Sequence, residues 1–381
     1  MLNSHQIAEL RAHFPILQDR TYLYSCSQGA LCDAVQAGMT EYADSWRTSV
    51  LPWDGWIEKY EEIRVAFAHF IHAKPEEVAV ITSASAGINP IANALQFDGR
   101  NGVVMGEFEF PTMGQIWLAQ QVRGAEIEFL KAIGDSIPVN SYEQAIDRRT
   151  KIVPLTQVSF VNGFRSDVAA ITRIAHDNGA LVFLDGYQDC GTRPIDVKAL
   201  DVDFFVTGTL KYLLGPPGLA FLYVREDHIE KLKPTLTSWM AQQEVFAFNP
   251  KVLNPASTAR RFEGGSPPIP NIYTALPALA FLCRVGLSNV AAQIESLVRA
   301  FMQGARDLGI QIKTPADSVG PLIVLRCKDA TAMTAKLLER NIVTSNRHDG
   351  VRFAFHFYNN MDDVNAALAA LEDNLDLMAL S

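Results

Sequence analysis

The fold of this chain follows from residues 181–224, which read LVFLDGYQDCGTRPIDVKALDVDFFVTGTLKYLLGPPGLAFLYV. This stretch contains three short apolar runs, at 181–184, 204–206 and 219–224, and each is bounded by Gly, Pro or Asp. Short runs that are rich in β-branched and aromatic residues are typical of buried strands. Apolar strands alternate with helical patterns over residues 91–224, which predicts a mainly parallel sheet covered by helices.

Two polar residues stand at the ends of these predicted strands. Asp185 directly follows the first run, and Lys211 follows the second. Ligands of open α/β sheets bind outside the carboxyl ends of the strands. A lysine that forms a Schiff base and an acid that keeps a pyridine nitrogen protonated are the pair that pyridoxal phosphate chemistry requires. Either residue alone is more often a helix cap or a solvated lysine, but the two together with their glycine-rich surroundings favour this cofactor.

Three motifs carry a resemblance to a known family: DGYQ at 185–188, TGTLK at 207–211 and GPPG at 215–218. With them the chain resembles the class V aminotransferase group of fold-type I pyridoxal phosphate enzymes, from about residue 22 to about residue 371. The resemblance implies a large α/β domain with a mainly parallel, seven-stranded sheet and a smaller α/β C-terminal domain. We expect the large domain at 20–255 and the small domain at 1–19 and 256–381.

The resemblance also implies which residues hold the cofactor. Lys211 would carry the Schiff base, Asp185 would keep the ring nitrogen protonated, and Gln188 would donate to the phenolic oxygen. Phe110 would stack on the ring. Ala84, Ser85 and Ala86 would form the phosphate cup, and Asn162 would be the polar residue near the phenolic oxygen. The family carries a serine where this chain has Gly208, and the hydroxyl of Thr207 or Thr209 would replace it. Ser266 would reach the phosphate of the cofactor in a partner subunit.

The substrate is expected to be a small molecule, an α-amino acid. Arg352 lies in the segment GVRFAFHFYNN at 350–360, which resembles a family motif whose arginine binds the substrate carboxylate in a bidentate manner. Its alternative is an arginine on a solvent-facing strand. The segment around Ser25, Gln28 and Gly29 would line the substrate pocket by the same resemblance, and its alternative is a polar turn after a strand.

The reaction expected from these residues passes through a carbanion at the substrate's α-carbon, with Lys211 and Asp185 as the catalytic pair. A transaminase or a β-eliminating C–S lyase is the favoured interpretation, and a cysteine desulfurase or an epimerase is the alternative. Desulfurases of the family use a cysteine in a mobile loop, whereas Cys327 lies in an apolar strand pattern. A non-catalytic binding protein of the same fold is a more distant alternative, and no GxGxxG motif supports a dehydrogenase.

Composition excludes several other classes. The chain has 381 residues, 48% hydrophobic and 20% charged, with a formal net charge of −9, which is typical of a two-domain globular enzyme and not of a nucleic-acid-binding protein. Its five cysteines are irregularly spaced, so neither a disulfide framework nor a metal site is predicted. There is no apolar run of membrane-spanning length and no signal-peptide core at residues 1–14. We therefore expect a cytoplasmic homodimer with shared active sites and with no metal, nucleic-acid or membrane partner.

Overall fold

A computed structural model describes residues 2–380, which form an α/β structure with a seven-stranded central sheet. The strands are β1 (Thr21–Tyr22), β2 (Val78–Ile81), β3 (Gly102–Gly106), β4 (Glu126–Leu130), β5 (Thr150–Thr156), β6 (Leu181–Asp185), β7 (Phe204–Gly208), β8 (Ala220–Val224), β9 (Leu322–Arg326), β10 (Ile342–Val343), β11 (Ser345–Arg347) and β12 (Gly350–Ala354).

The α-helices of the described residues alternate with these strands through most of the chain. They are α1 (Ser4–Ala12), α2 (Asp33–Thr48), α3 (Pro52–Phe70), α4 (Ala84–Ala94), α5 (Pro111–Leu118), α6 (Val139–Ala145), α7 (Val168–Asp177), α8 (Glu226–Ile229), α9 (Ile269–Val285), α10 (Leu287–Asp307), α11 (Ala330–Glu339) and α12 (Met361–Glu372).

The central sheet has the strand order β2-β8-β7-β6-β5-β3-β4, and only β8 runs antiparallel to its two neighbours. The predicted mainly parallel, helix-covered sheet is therefore confirmed. In β6 and β7 neighbouring residues belong to different apolar clusters: Leu184 and Phe205 pack on one face, and Phe183 and Phe204 pack on the other. A sheet that is buried on both faces explains why these strands read as continuous apolar runs rather than as alternating ones.

A second, smaller sheet is antiparallel and has the order β11-β12-β9. The N-terminal segment joins this part of the chain, because β1 pairs with β10 and Tyr24 forms a bridge to Ala354. The division into 20–255 and 1–19 with 256–381 stays a prediction. Within residues 2–380 there is no single helix that is long and apolar enough to cross a membrane; α9 and α10 meet that criterion only as a pair bent by 75°.

Candidate active site

A cavity of about 230 Å³ opens at the carboxyl edge of the central sheet. Because β2, β3, β5, β6 and β7 all point toward this edge, the residues that follow them meet there although they are far apart in sequence. The cavity is lined by Ser83, Ala84, Ser85, Ile88, Phe110, Thr112, Thr156, Val158, Phe160, Asp185, Tyr187, Gln188, Leu210 and Lys211. The structure thus brings together six of the predicted site residues: Ala84, Ser85, Phe110, Asp185, Gln188 and Lys211.

Lys211 reaches into this cavity between two aromatic rings. Its Nζ lies 4.6 Å from the ring centroid of Tyr187 and 5.7 Å from that of Phe110. Burial lowers the pKa of Lys211 to about 8, although the nearby Asp185 carboxylate opposes that shift. A lysine with a pKa near neutrality keeps a useful fraction of its amine unprotonated, which is what a nucleophile or a proton acceptor needs.

Asp185 ends β6 and is only 6% exposed. Its Oδ1 accepts a hydrogen bond from the Tyr187 backbone N–H at 2.8 Å, and no cationic side chain of residues 2–380 lies within 4.0 Å of it. Burial raises the pKa of Asp185, and the Lys211 charge lowers it. A buried carboxylate is stabilised when a cation pairs with it. A protonated pyridine nitrogen would be such a cation.

Glu109 is a second buried acid near the cavity, and sequence reasoning missed it. Its Oε1 accepts the Thr156 backbone N–H at 2.8 Å, whereas its Oε2 is buried without a hydrogen-bond partner among the described residues. Burial first, and the Asp185 charge second, raise the pKa of Glu109 to about 8. The available signal was an acid directly before Phe110 at the end of an apolar strand.

Gln188 lines the cavity, but its Nε2, the group expected to donate to the phenolic oxygen, donates to the Cys26 carbonyl at 3.1 Å, and its Oε1, which can only accept, is buried without a partner. A further feature of the cavity fits a pyridoxal phosphate molecule. Helix α4 begins at the cavity wall, and Ser83 caps it by accepting the Ala86 N–H at 3.1 Å. The start of a helix, with its free N–H groups and positive dipole end, suits a phosphate. An amine, an acid and a helix N-terminus in one cavity form the set that this cofactor requires.

Four predicted cofactor contacts are not brought to the cavity, because their polar atoms have other partners or point elsewhere. Asn162 is fully buried in a turn, where it donates to Asp135 O at 2.7 Å and accepts from Phe164 N at 3.0 Å. The Thr209 hydroxyl donates to Pro216 O at 2.6 Å. Thr207 is fully buried and does not line the cavity, and the Ala86 N–H donates to the Ser83 hydroxyl that caps the helix.

The remaining predicted residues Ser25, Gln28, Gly29 and Ser266 also do not line the cavity of their own chain. Ser25 is fully buried and bonded to the Tyr358 hydroxyl at 2.5 Å, and Gln28 does not line the cavity. Gly29 supports the lysine segment: its N–H donates to Leu210 O at 2.8 Å, and a Cβ there would lie 2.3 Å from the Lys211 carbonyl oxygen. Ser266 is exposed on the surface and lies outside the cavity wall of its own chain.

Arg352 lies beside the cavity and is only 1% exposed. Its guanidinium donates to Ser27 Oγ at 2.8 Å, to Ser345 Oγ at 3.0 Å and to Phe160 O at 3.2 Å. All three acceptors are neutral, and no carboxylate of the described chain lies within 4.0 Å of the guanidinium. A buried cation without a counter-ion is costly, so this position favours the binding of an anion. Sequence reasoning found Arg352 but missed Ser27 and Ser345.

The chain is similar to known proteins over nearly its whole length. The Aminotransferase class-V family model matches residues 21–367. The uncharacterized aminotransferase YcbU of Bacillus subtilis (strain 168) is 33% identical over 367 residues, covering 96% of this chain and 97% of the relative. The kynureninase of Deinococcus radiodurans is 29% identical over 393 residues, covering 97% and 93%. The apo structure of a cysteine desulfurase from Thermococcus onnurineus NA1 superposes with a TM-score of 0.87 at 23% identity, over 97% of this chain and 98% of that one.

Proposed function

Since the chain belongs to the aminotransferase class-V family, we propose that it is a pyridoxal phosphate enzyme that either transaminates an α-amino acid or cleaves the C–S bond of a sulfur-containing one by β-elimination. One observation carries the proposal: Lys211 and Asp185 face the same cavity, and the uncompensated cation Arg352 lies beside it. The first two residues suit the cofactor, and the third suits the carboxylate that every α-amino acid has.

Pyridoxal phosphate, when bound, supplies an electron sink that stabilises a carbanion at the substrate's α-carbon. Lys211 would hold the cofactor through Nζ and, once substrate has replaced it there, would take the proton from the α-carbon. Its lowered pKa keeps the amine close to the balance between proton donor and proton acceptor. Asp185 would keep the ring nitrogen charged. Phe110, which is partly exposed at the cavity wall, would cover one face of the ring.

Substrate orientation is assigned to Arg352. Its planar guanidinium is held by Ser27, Ser345 and the Phe160 carbonyl, so its direction is fixed before substrate arrives. A fixed fork of donors matches the two oxygens of a carboxylate. Binding there would leave the substrate's α-carbon turned toward the lysine side of the site.

A persulfide-forming desulfurase is less well supported. Cys327 is 7% exposed, and its thiol contacts Met378 Sδ at 3.5 Å, so no sulfur acceptor projects from this strand. Burial also raises the pKa of Cys327 to about 11, which keeps the thiol protonated and weakly nucleophilic.

A homodimer is part of this proposal. Trp53, Trp239, Phe246 and Phe248 form a continuous group of neighbouring rings, which we call the aromatic surface. Phe246 is 59% exposed and Phe248 is 71% exposed. Exposed apolar patches of this kind mark interaction sites. A second copy of the chain would cover the patch and would bring the exposed Ser266 toward the partner's cofactor.

The expected cytoplasmic location belongs to the same proposal, and its support is that all five cysteines are free.

The test is a panel of amino acids added to the purified, cofactor-loaded protein, with absorbance, keto acid, ammonia and sulfide followed together. A transaminase releases a keto acid without ammonia, whereas a C–S lyase releases ammonia and a sulfur-containing product from cysteine or cystine. Lys211→Ala is the matched control and should form neither product. Absence of bound cofactor in the wild-type protein would overturn the proposal.

A further inference from the structure

Tyr187 lines the cavity although the sequence motifs assigned it no role. It lies two residues after Asp185, and Lys211 Nζ is 4.6 Å from its ring centroid. Its backbone N–H donates to Asp185, but its hydroxyl has no hydrogen-bond partner among residues 2–380. An unpaired hydroxyl at the wall of a ligand cavity is available to a ligand.

The Tyr187 hydroxyl occupies a specific place beside Gly208. A Cβ at position 208 would lie 2.1 Å from the Tyr187 hydroxyl oxygen and 2.3 Å from the ring carbon that carries it. These distances are far inside van der Waals contact, so position 208 has to be glycine while the phenol is there. The phenol therefore fills the space that a side chain at the end of β7 would take.

This place lies next to the start of helix α4. Val206 and Gly208 lie on the same face of β7, because side chains alternate along a strand. A Cβ at Gly87, in the first turns of α4, would lie 3.3 Å from Val206 Cγ2, so α4 covers that face. Ala84 begins α4 about one turn before Gly87, toward the cavity. The hydroxyl and the free N–H groups of the helix start thus face one region of the cavity.

We propose that the Tyr187 hydroxyl donates a hydrogen bond to the phosphate of the cofactor, acting together with Ser85 and the start of α4. Neither Thr207 nor Thr209 lines the cavity, and the Thr209 hydroxyl already donates to the Pro216 carbonyl. The inference rests on the proposed function, because it assumes that pyridoxal phosphate is the ligand. It makes Tyr187 a cofactor-positioning residue particular to a chain that has glycine at position 208.

The first test compares the wild-type protein with Tyr187→Phe, using cofactor-free protein titrated with pyridoxal phosphate and, separately, with pyridoxal. Both ligands carry the aldehyde, but only the first carries the phosphate. Loss of one hydrogen bond to a charged group should raise the Kd for pyridoxal phosphate by at least roughly tenfold, with the Kd for pyridoxal unchanged. Equal Kd values of the two proteins for pyridoxal phosphate would overturn the inference, and so would equal losses for both ligands.

A second test moves the hydroxyl from one residue to the other. Tyr187→Ala removes it, and Gly208→Ser alone introduces a clash with the phenol. The double variant Tyr187→Ala/Gly208→Ser has both the space and a hydroxyl, so it should bind pyridoxal phosphate more tightly than either single variant. A double variant no tighter than Tyr187→Ala would contradict the inference. Wild-type protein that binds no pyridoxal phosphate would instead overturn the proposed function itself, so the two failures are distinguishable.

Discussion

Replacing Arg352 by alanine should weaken the use of α-amino acids much more than the use of the corresponding amines. The guanidinium now donates to three neutral acceptors, and none of them compensates its charge. A charge-assisted hydrogen bond to a substrate carboxylate contributes about 1.5–3 kcal/mol, which corresponds to roughly 10- to 150-fold in kcat/KM. Arg352→Lys keeps the charge but loses the two-point geometry, so its loss should be intermediate.

The assay measures kcat/KM for matched pairs of an amino acid and its decarboxylated amine, with wild-type protein and both Arg352 variants. Arg299→Ala is the control, because Arg299 lies on helix α10, is exposed, pairs with Glu295 at 2.7 Å and does not line the cavity. It should leave the ratio within a pair unchanged. Thermal denaturation of each variant separates a folding defect from a substrate effect. Equal losses for both members of a pair after the Arg352 change would refute the reasoning.

Three further predictions concern Lys211 and Asp185. In Lys211→Ala, borohydride should no longer link cofactor to the chain; continued linkage would mean that another amine holds it. Asp185→Asn should lower turnover by orders of magnitude while cofactor still binds. Glu109→Gln should lower turnover far less, because burial already favours the neutral form of Glu109. Equal losses of turnover in the two variants would show that Asp185 has no special role. Burial holds the pKa of Lys211 at about 8 instead of 10.5, so the unfolded chain binds more protons between these values and stability rises with pH there. Relative to Lys211→Met, the unfolding free energy of the cofactor-free wild-type protein should therefore increase by up to about 3 kcal/mol from pH 7 to pH 10.5, and a constant difference in chemical denaturation would contradict this.

The sheet and the catalytic pair could be predicted from sequence for one physical reason. Parallel strands that are buried on both faces are apolar throughout, so the first polar residue after each strand marks its carboxyl end. Asp185 is the last residue of β6 and follows this rule, whereas Lys211 stands three residues beyond β7, after Thr209 and Leu210. Since all parallel strands end at one edge of the sheet, the proximity of Asp185 and Lys211 could be predicted without knowing the conformations of the loops.

The hydroxyl-bearing residues could not be assigned in the same way, because they lie in turns that have no period. Ser25 and Ser27 are two positions apart, yet Ser25 bonds to Tyr358 in the interior and Ser27 bonds to Arg352. Thr207 and Thr209 could not be distinguished from sequence for a related reason: the turn after β7 uses the Thr209 hydroxyl for its own carbonyl groups. The composition of such a segment predicts a turn, but the direction of each side chain depends on contacts with distant residues.

The charged residues Asp185, Lys211 and Arg352 at the cavity together bear on the orientation in which a substrate binds. The Asp185 charge raises the pKa of Glu109, which favours the neutral form of Glu109, and Asp185 is the acid whose charge acts on Lys211. Lys211 is subject to both signs: Asp185 raises its pKa, and Arg352 lowers it. Asp185 and Lys211 line one cavity, and Arg352 lies beside it through its hydrogen bond to the Phe160 carbonyl. A cofactor with a cationic ring nitrogen would be drawn to Asp185, and a substrate carboxylate would be drawn to Arg352. An amino acid bound in the reverse direction would take its carboxylate away from Arg352 and leave that buried cation without a counter-ion. The polarity of the cavity therefore favours one orientation of an α-amino acid over Lys211 before any side-chain pocket is considered.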